Sequence, residues 1–186
     1  MTILMIAEAR SGSTNLAKWL KKSLPDFNLL NEPFNYRSSD YVGETGTIDY
    51  SQDNIISEKY FFNETLIQDM VDNSDIIFTL HREDSTSQIE SYIMAHKTNN
   101  WYKEYTPTDV YGNIDESIQT ELDKFYKSKE DFKKYIVDNN LTSFTYENLY
   151  FNNQIDKLKS FLNIESDIQF PYGNKYRKDV DKKTII

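Results

Sequence analysis

An unbroken apolar run, Ile3-Leu4-Met5-Ile6, passes through Ala7-Glu8-Ala9 into the small-residue turn Arg10-Ser11-Gly12-Ser13-Thr14. A short apolar run without alternation, ended by a Gly/Ser turn, fits a strand buried on both faces, as in a parallel sheet. Beyond the turn, Leu16, Trp19, Leu20 and Leu24 recur at helical spacing from Asn15, and Pro25 stops the helix. Strand, tight turn and amphipathic helix together are the opening unit of an α/β domain.

The rest of the chain repeats that alternation. Ile76-Ile77-Phe78-Thr79-Leu80 predicts a second strand, followed by a polar turn and a helix through Ile89, Tyr92, Ile93 and His96. A third strand is predicted over Thr142–Tyr146. Helices are expected over Glu64–Val71, along Ile118, Leu122, Phe125, Phe132 and Ile136, and through Ile155, Leu158, Phe161 and Leu162. Residues 36–63 are polar and aromatic with weak period and read as loop. With no repeat and no Pro/Gly-rich linker, residues 1–186 are expected to form a single three-layer α/β domain with a mainly parallel central sheet. In such sheets ligands bind beyond the carboxyl ends of the strands.

Composition narrows the function. A chain of 186 residues buries roughly 70% of its unfolded surface without covalent staples. The net charge of −9 argues against a nucleic-acid partner, and no segment approaches the ~20 apolar residues of a membrane span. Met1 leads directly into the apolar run and there is no Cys, so a cytoplasmic location is expected. Two His and no Cys give no metal-ligand set. Against the acidic whole, Lys175, Arg177, Lys178, Lys182 and Lys183 form a cationic end that suits a small anionic ligand or, alternatively, a solvated tail. Oligomeric state leaves no mark in the sequence.

The turn carries the chemistry. Small residues let successive backbone N–H groups face one concavity, and the helix N-terminus adds partial positive charge. Arg10 offers a fork for anionic oxygens, and Ser11, Ser13 and Thr14 offer hydroxyls. Against the pattern G-x-x-x-x-G-K-[ST], the chain has Ala7, Gly12, Ser13 in place of Lys, and Thr14. Without the Lys that holds β- and γ-phosphates, the loop suits one phosphate-like group. A capped helix start is the plain alternative. A kinase-like phosphotransferase is the other, weakened because the strand at 76–80 ends in His81-Arg82 and not in an Asp for Mg²⁺.

Arg10-Ser11-Gly12-Ser13-Thr14 after a strand resembles the 5′-phosphosulfate loop of sulfotransferases, especially the carbohydrate, tyrosylprotein and bacterial types whose loop opens on Arg. Arg82 and Ser91 resemble the family's strand-end Arg and following Ser on the 3′-phosphate; the commoner spacing falls one residue earlier, on Glu90, so a one-residue insertion is read in the turn. Ala95, Thr98 and Trp101 resemble a pattern of bacterial members. Phe144-Thr145-Tyr146-Glu147-Asn148-Leu149 is similar to the segment whose Tyr lies at the adenine, and Lys175, Arg177 and Lys178 to the late basic loop.

The resemblance implies a P-loop nucleotide-binding fold that takes 3′-phosphoadenosine 5′-phosphosulfate, uses no metal and leaves 3′,5′-adenosine bisphosphate. It implies cofactor contacts from Arg10, Ser11, Gly12, Ser13, Thr14, Asn15, Arg82, Ser91, Tyr146, Lys175, Arg177 and Lys178. Glu32, before Pro33, resembles the family's base and is expected in extended backbone; His81 is the alternative base, and Arg10 would steady the leaving group. The acceptor is a hydroxyl of a carbohydrate or small molecule, with tyrosine possible. Tyr36, Tyr41, Tyr50, Tyr60, Phe61 and Phe62 are expected to line its site or, failing that, to cover the core. A chain this short also leaves room for a nucleotide-binding module without catalysis.

Overall fold

Every residue of the strand Thr2–Ala7 (β1) is buried, and its side chains divide between two cores. Ile3, Met5 and Ala7 join one apolar cluster; Leu4 and Ile6 join another. Only a central strand with both faces covered does this, and each fully buried Ile, Leu or Met side chain contributes roughly 1.5–3 kcal/mol. The computed structural model describes residues 1–35, 38–42, 46–60, 64–98 and 116–171.

The chain runs β1, α1 (Ser13–Ser23), β2 (Asn28–Asn31), β3 (Asn54–Lys59), α2 (Glu64–Asp72), β4 (Ile76–His81), α3 (Ser85–Thr98), α4 (Glu116–Asp138), β5 (Thr142–Thr145), α5 (Tyr146–Tyr150) and α6 (Ile155–Leu162). The five strands form one parallel sheet in the order β2-β3-β1-β4-β5. Leu16, Trp19 and Leu20 of α1 and Ile155, Leu158 and Leu162 of α6 cover one face. Ile67 and Met70 of α2 and Phe132 of α4 cover the other. The molecule is therefore α/β with helices on both sides of a parallel sheet.

Two strands are absent from the sequence reading. β2 has only Leu29 and Leu30 as apolar residues, and β3 sets the adjacent pair Ile55-Ile56 among Asn54, Ser57, Glu58 and Lys59, yet all six β3 residues are buried. Residues 54–59, expected as loop, are thus the immediate neighbour of β1. At the other edge, the third predicted strand stops at Thr145, whose hydroxyl accepts from Asn148 N at 3.2 Å and caps α5, so Tyr146 begins a helix.

Strand order locates the crevice. After β1 the chain crosses towards β2 at one edge; after β4 it crosses towards β5 at the other. The carboxyl ends of the adjacent strands β1 and β4 are therefore the point where connections diverge, the place at which parallel α/β sheets commonly bind ligands. Among the described residues no helix is long and apolar enough to cross a membrane.

Candidate functional site

The turn after β1 is sharply bent. Arg10 (φ 61) and Gly12 (φ 81) both occupy the left-handed region, and Gly12 O accepts from Asn15 N and Leu16 N at 3.1 Å to start α1. The first N–H groups of a helix have no acceptor within it and face outward at its positive end. Gly12 is backed by an aromatic pair: Tyr146 and Tyr150 stack at 4.5 Å, and Tyr150 Oη donates to Gly12 O at 2.8 Å. Burial pushes the Tyr150 phenol upward, so it stays a donor. Ser11 is fully buried and donates to Glu8 O at 2.7 Å, bracing the turn from inside. Thr14 is half-buried and Asn15 exposed at the start of α1.

The strand end of β4 meets this turn. Arg10 Nε donates to Ser91 Oγ on α3 at 2.8 Å. Arg82 Nη1 approaches Arg10 O at 3.4 Å, its guanidinium lies 4.6 Å from the Tyr146 ring centroid, and its Nε stands 3.6 Å from Glu147 Oε1. Arg10, Gly12, Arg82, Ser91 and Tyr146, drawn from three parts of the sequence, are thus joined in one set of contacts at the carboxyl ends of β1 and β4. Ser91, not Glu90, supplies the contact to Arg10. Tyr146 is wedged between Arg82 and Gly12.

On the other side of the loop stands Lys59, at the end of β3 beside Ala7. Its buried Nζ donates to Ser13 Oγ and stands 3.4 Å from Glu32 Oε1. A cation from the adjacent strand therefore reaches the loop position where Ser13 replaces Lys. Asn35 Nδ2 donates to Glu32 Oε2 at 2.7 Å. Glu32 is not extended: its φ is 53. Its N–H continues the ladder to Ser57 O at 2.7 Å, and its carbonyl accepts from Asn35 N at 3.0 Å, closing a turn with Pro33 second. Those bonds outweigh the pre-proline preference and about 1–2 kcal/mol of left-handed backbone cost.

The neighbouring Glu58 is buried and accepts from Lys59 N at 2.7 Å; burial, with the Glu32 charge adding, raises its carboxyl to about 7. Lys59 and Glu58 escaped the sequence reading. The only signal was an acid and a base one residue beyond Ile55-Ile56.

Beneath the two arginines lies a buried polar unit. Glu8 Oε2 accepts from Lys129 Nζ at 3.1 Å, from Gln88 Nε2 at 3.0 Å and from Arg82 N at 3.0 Å. Lys129 Nζ also donates to Arg82 O at 2.7 Å and Gln88 Oε1 at 2.6 Å, and Gln88 Nε2 to Ala9 O at 2.7 Å. Breaking such a pair from one side costs about 3–5 kcal/mol.

His81 faces the far edge. Its Nδ1 lies 2.9 Å from Ser143 Oγ on β5, and burial lowers its pKa. Tyr60 packs on Phe132 and Tyr135 with centroids 4.8 and 5.1 Å away, and Tyr50 donates to Asp69 at 3.2 Å, so both cover the core under α2 and α4. Tyr41 is exposed. Tyr36, Phe61, Phe62, Trp101, Lys175, Arg177 and Lys178 lie outside the described residues. Among the described residues no group of three or more His, Asp or Glu could hold a metal ion. No protein-family model and no curated protein matches the chain.

Proposed function

We propose that this chain binds 3′-phosphoadenosine 5′-phosphosulfate at the crevice between β1 and β4 and transfers its sulfonyl group to a hydroxyl. The single observation that carries the reading is the Arg10 Nε–Ser91 Oγ bond of 2.8 Å beside Arg82. It joins the expected 5′ and 3′ anion groups across one crevice, at a distance in sequence that only a specific fold brings together. Two guanidiniums and a hydroxyl suit a ligand with two separated anionic groups.

In this reading the loop N–H groups, Thr14 and Ser13 receive the phosphosulfate, and Arg82 and Ser91 receive the 3′-phosphate. The acceptor oxygen attacks sulfur in line with the departing phosphate oxygen. Its proton passes to the Glu32 carboxylate, and the S–O bond to the 5′-phosphate breaks. Negative charge gathers on the phosphate oxygen that leaves, where Arg10 and Lys59 stabilise it. Glu32 is favoured over His81 because it shares Lys59 with the loop, whereas His81 bonds to β5. The acceptor is a hydroxylated molecule, and the cytoplasm is the proposed compartment.

Calorimetric titration with 3′,5′-adenosine bisphosphate tests the nucleotide half: micromolar or tighter binding is expected, and no heat at millimolar ligand would overturn it. A screen of hydroxylated acceptors with labelled sulfonyl donor tests the transfer. Tight nucleotide binding without transfer to any acceptor would favour a binding module.

A further inference from the structure

Helix α4 carries a lysine where its packing calls for an apolar residue. Leu122, Phe125 and Phe132 are its buried stripe, and Lys129 falls on the same stripe with 7% of its side chain exposed. Its counter-ion, Glu8, extends the β1 face of Leu4 and Ile6 and is 5% exposed. Stability alone does not explain the pair, because well-packed apolar residues in place of a buried ion pair are often neutral or better. Geometry does. Glu8 holds the N–H of Arg82 and Lys129 holds its C=O, so the peptide groups on either side of Arg82 are fixed from both directions. Gln88, bonded to both charges, holds Ala9 O, the last carbonyl before Arg10.

We infer that the Glu8–Lys129 pair, with Gln88, is a spacing device that sets the distance between Arg10 and Arg82 and thereby selects nucleotides carrying phosphate on both the 5′ and the 3′ side of one ribose. The inference rests on the nucleotide reading above. These are positioning residues: no ligand atom need touch them. A ligand with a 5′-phosphate alone uses the loop and is indifferent to the spacing; one with both phosphates must match it.

The test compares 3′,5′-adenosine bisphosphate with adenosine 5′-monophosphate by calorimetry on the full chain. Two variants are used: Gln88→Met, which leaves the ion pair intact, and Glu8→Leu/Lys129→Met, which removes both charges together and so strands neither. Each is expected to keep its affinity for the monophosphate and to lose roughly ten- to hundredfold of the preference for the bisphosphate. A variant that keeps the wild-type preference overturns the spacing role and leaves the nucleotide reading standing. A wild-type chain with no preference for the bisphosphate overturns both.

Discussion

Lys59 Nζ stands 3.4 Å from Glu32 Oε1 while donating to Ser13 Oγ, so one buried ammonium links the candidate base to the anion loop. The two carboxylate oxygens of Glu32 are thereby divided, one towards Lys59 and one towards Asn35. In the proposed reaction the carboxylate is oriented before substrate arrives, and the ammonium lies within reach of both proton acceptor and leaving group.

Glu32→Gln keeps the shape and removes the basicity. The variant is expected to bind 3′,5′-adenosine bisphosphate as the wild type does and to lose turnover by roughly 10²–10⁴-fold. Calorimetry beside a labelled-donor assay reads both quantities. If turnover survives in Glu32→Gln and falls in His81→Asn, the base is His81.

Arg10→Ala removes the group bonded to Ser91 and facing the loop. The expected cost is roughly 3–4 kcal/mol of transition-state stabilisation, comparable with the loss of one oxyanion donor. Single-turnover rates at saturating donor measure it. Near-normal rates would take Arg10 out of the chemistry.

Gly12→Ala meets both conformation and space. The backbone has φ 81, and a Cβ there would lie 2.9 Å from Tyr146 Cδ2 and 3.1 Å from Tyr150 Cε2. A loss of roughly 1–3 kcal/mol in urea unfolding is expected. Adding Tyr146→Ala should relieve part of the steric share, visible as a non-additive double-mutant cycle. Strict additivity would mean that the ring does not press on the turn.

Glu58 gives the chain a pH dependence of definite sign. Its carboxyl is raised from 4.5 to about 7 by burial, so the folded state binds more protons than the unfolded state between those values. Stability from this group is full below about 4.5 and falls by about 3 kcal/mol as pH rises through 7. Glu58→Gln should flatten that fall in unfolding curves taken from pH 4.5 to 8. An identical slope in the variant would show that Glu58 titrates normally.

Much of this is legible in the sequence. β1 and β4 announce themselves as nearly unbroken apolar runs, Ile3–Ile6 and Ile76–Leu80, and α4 by the helical spacing of its stripe from Leu122 to Ile136. Arg10, Arg82 and Ser91, named from the family resemblance and its order along the chain, lie side by side in the fold. β3 is not legible, because four of its six buried side chains are polar, and binary patterning cannot see a strand whose polar residues point inward. Lys129 hid in the same way, as one more charge on a helix full of them. Tyr60 misled in the opposite sense: an aromatic in a polar stretch looked like a ligand wall and is core. Glu32 shows the limit of a local rule, since a ladder bond and a turn bond outvote the pre-proline preference.

The order β2-β3-β1-β4-β5 has a consequence for how the chain matures on the ribosome. The hexapeptide at 2–7 becomes the centre of the sheet, yet both of its partners come from residues 54–81. At about 5–20 residues per second, its apolar side chains wait several seconds for either flank. During that interval the segment is an unpaired, uncharged, β-prone stretch, the kind that chaperones cover and that self-associates when they do not. Heterologous yield of this protein should therefore depend more on holdase supply and growth temperature than on the stability of the finished fold.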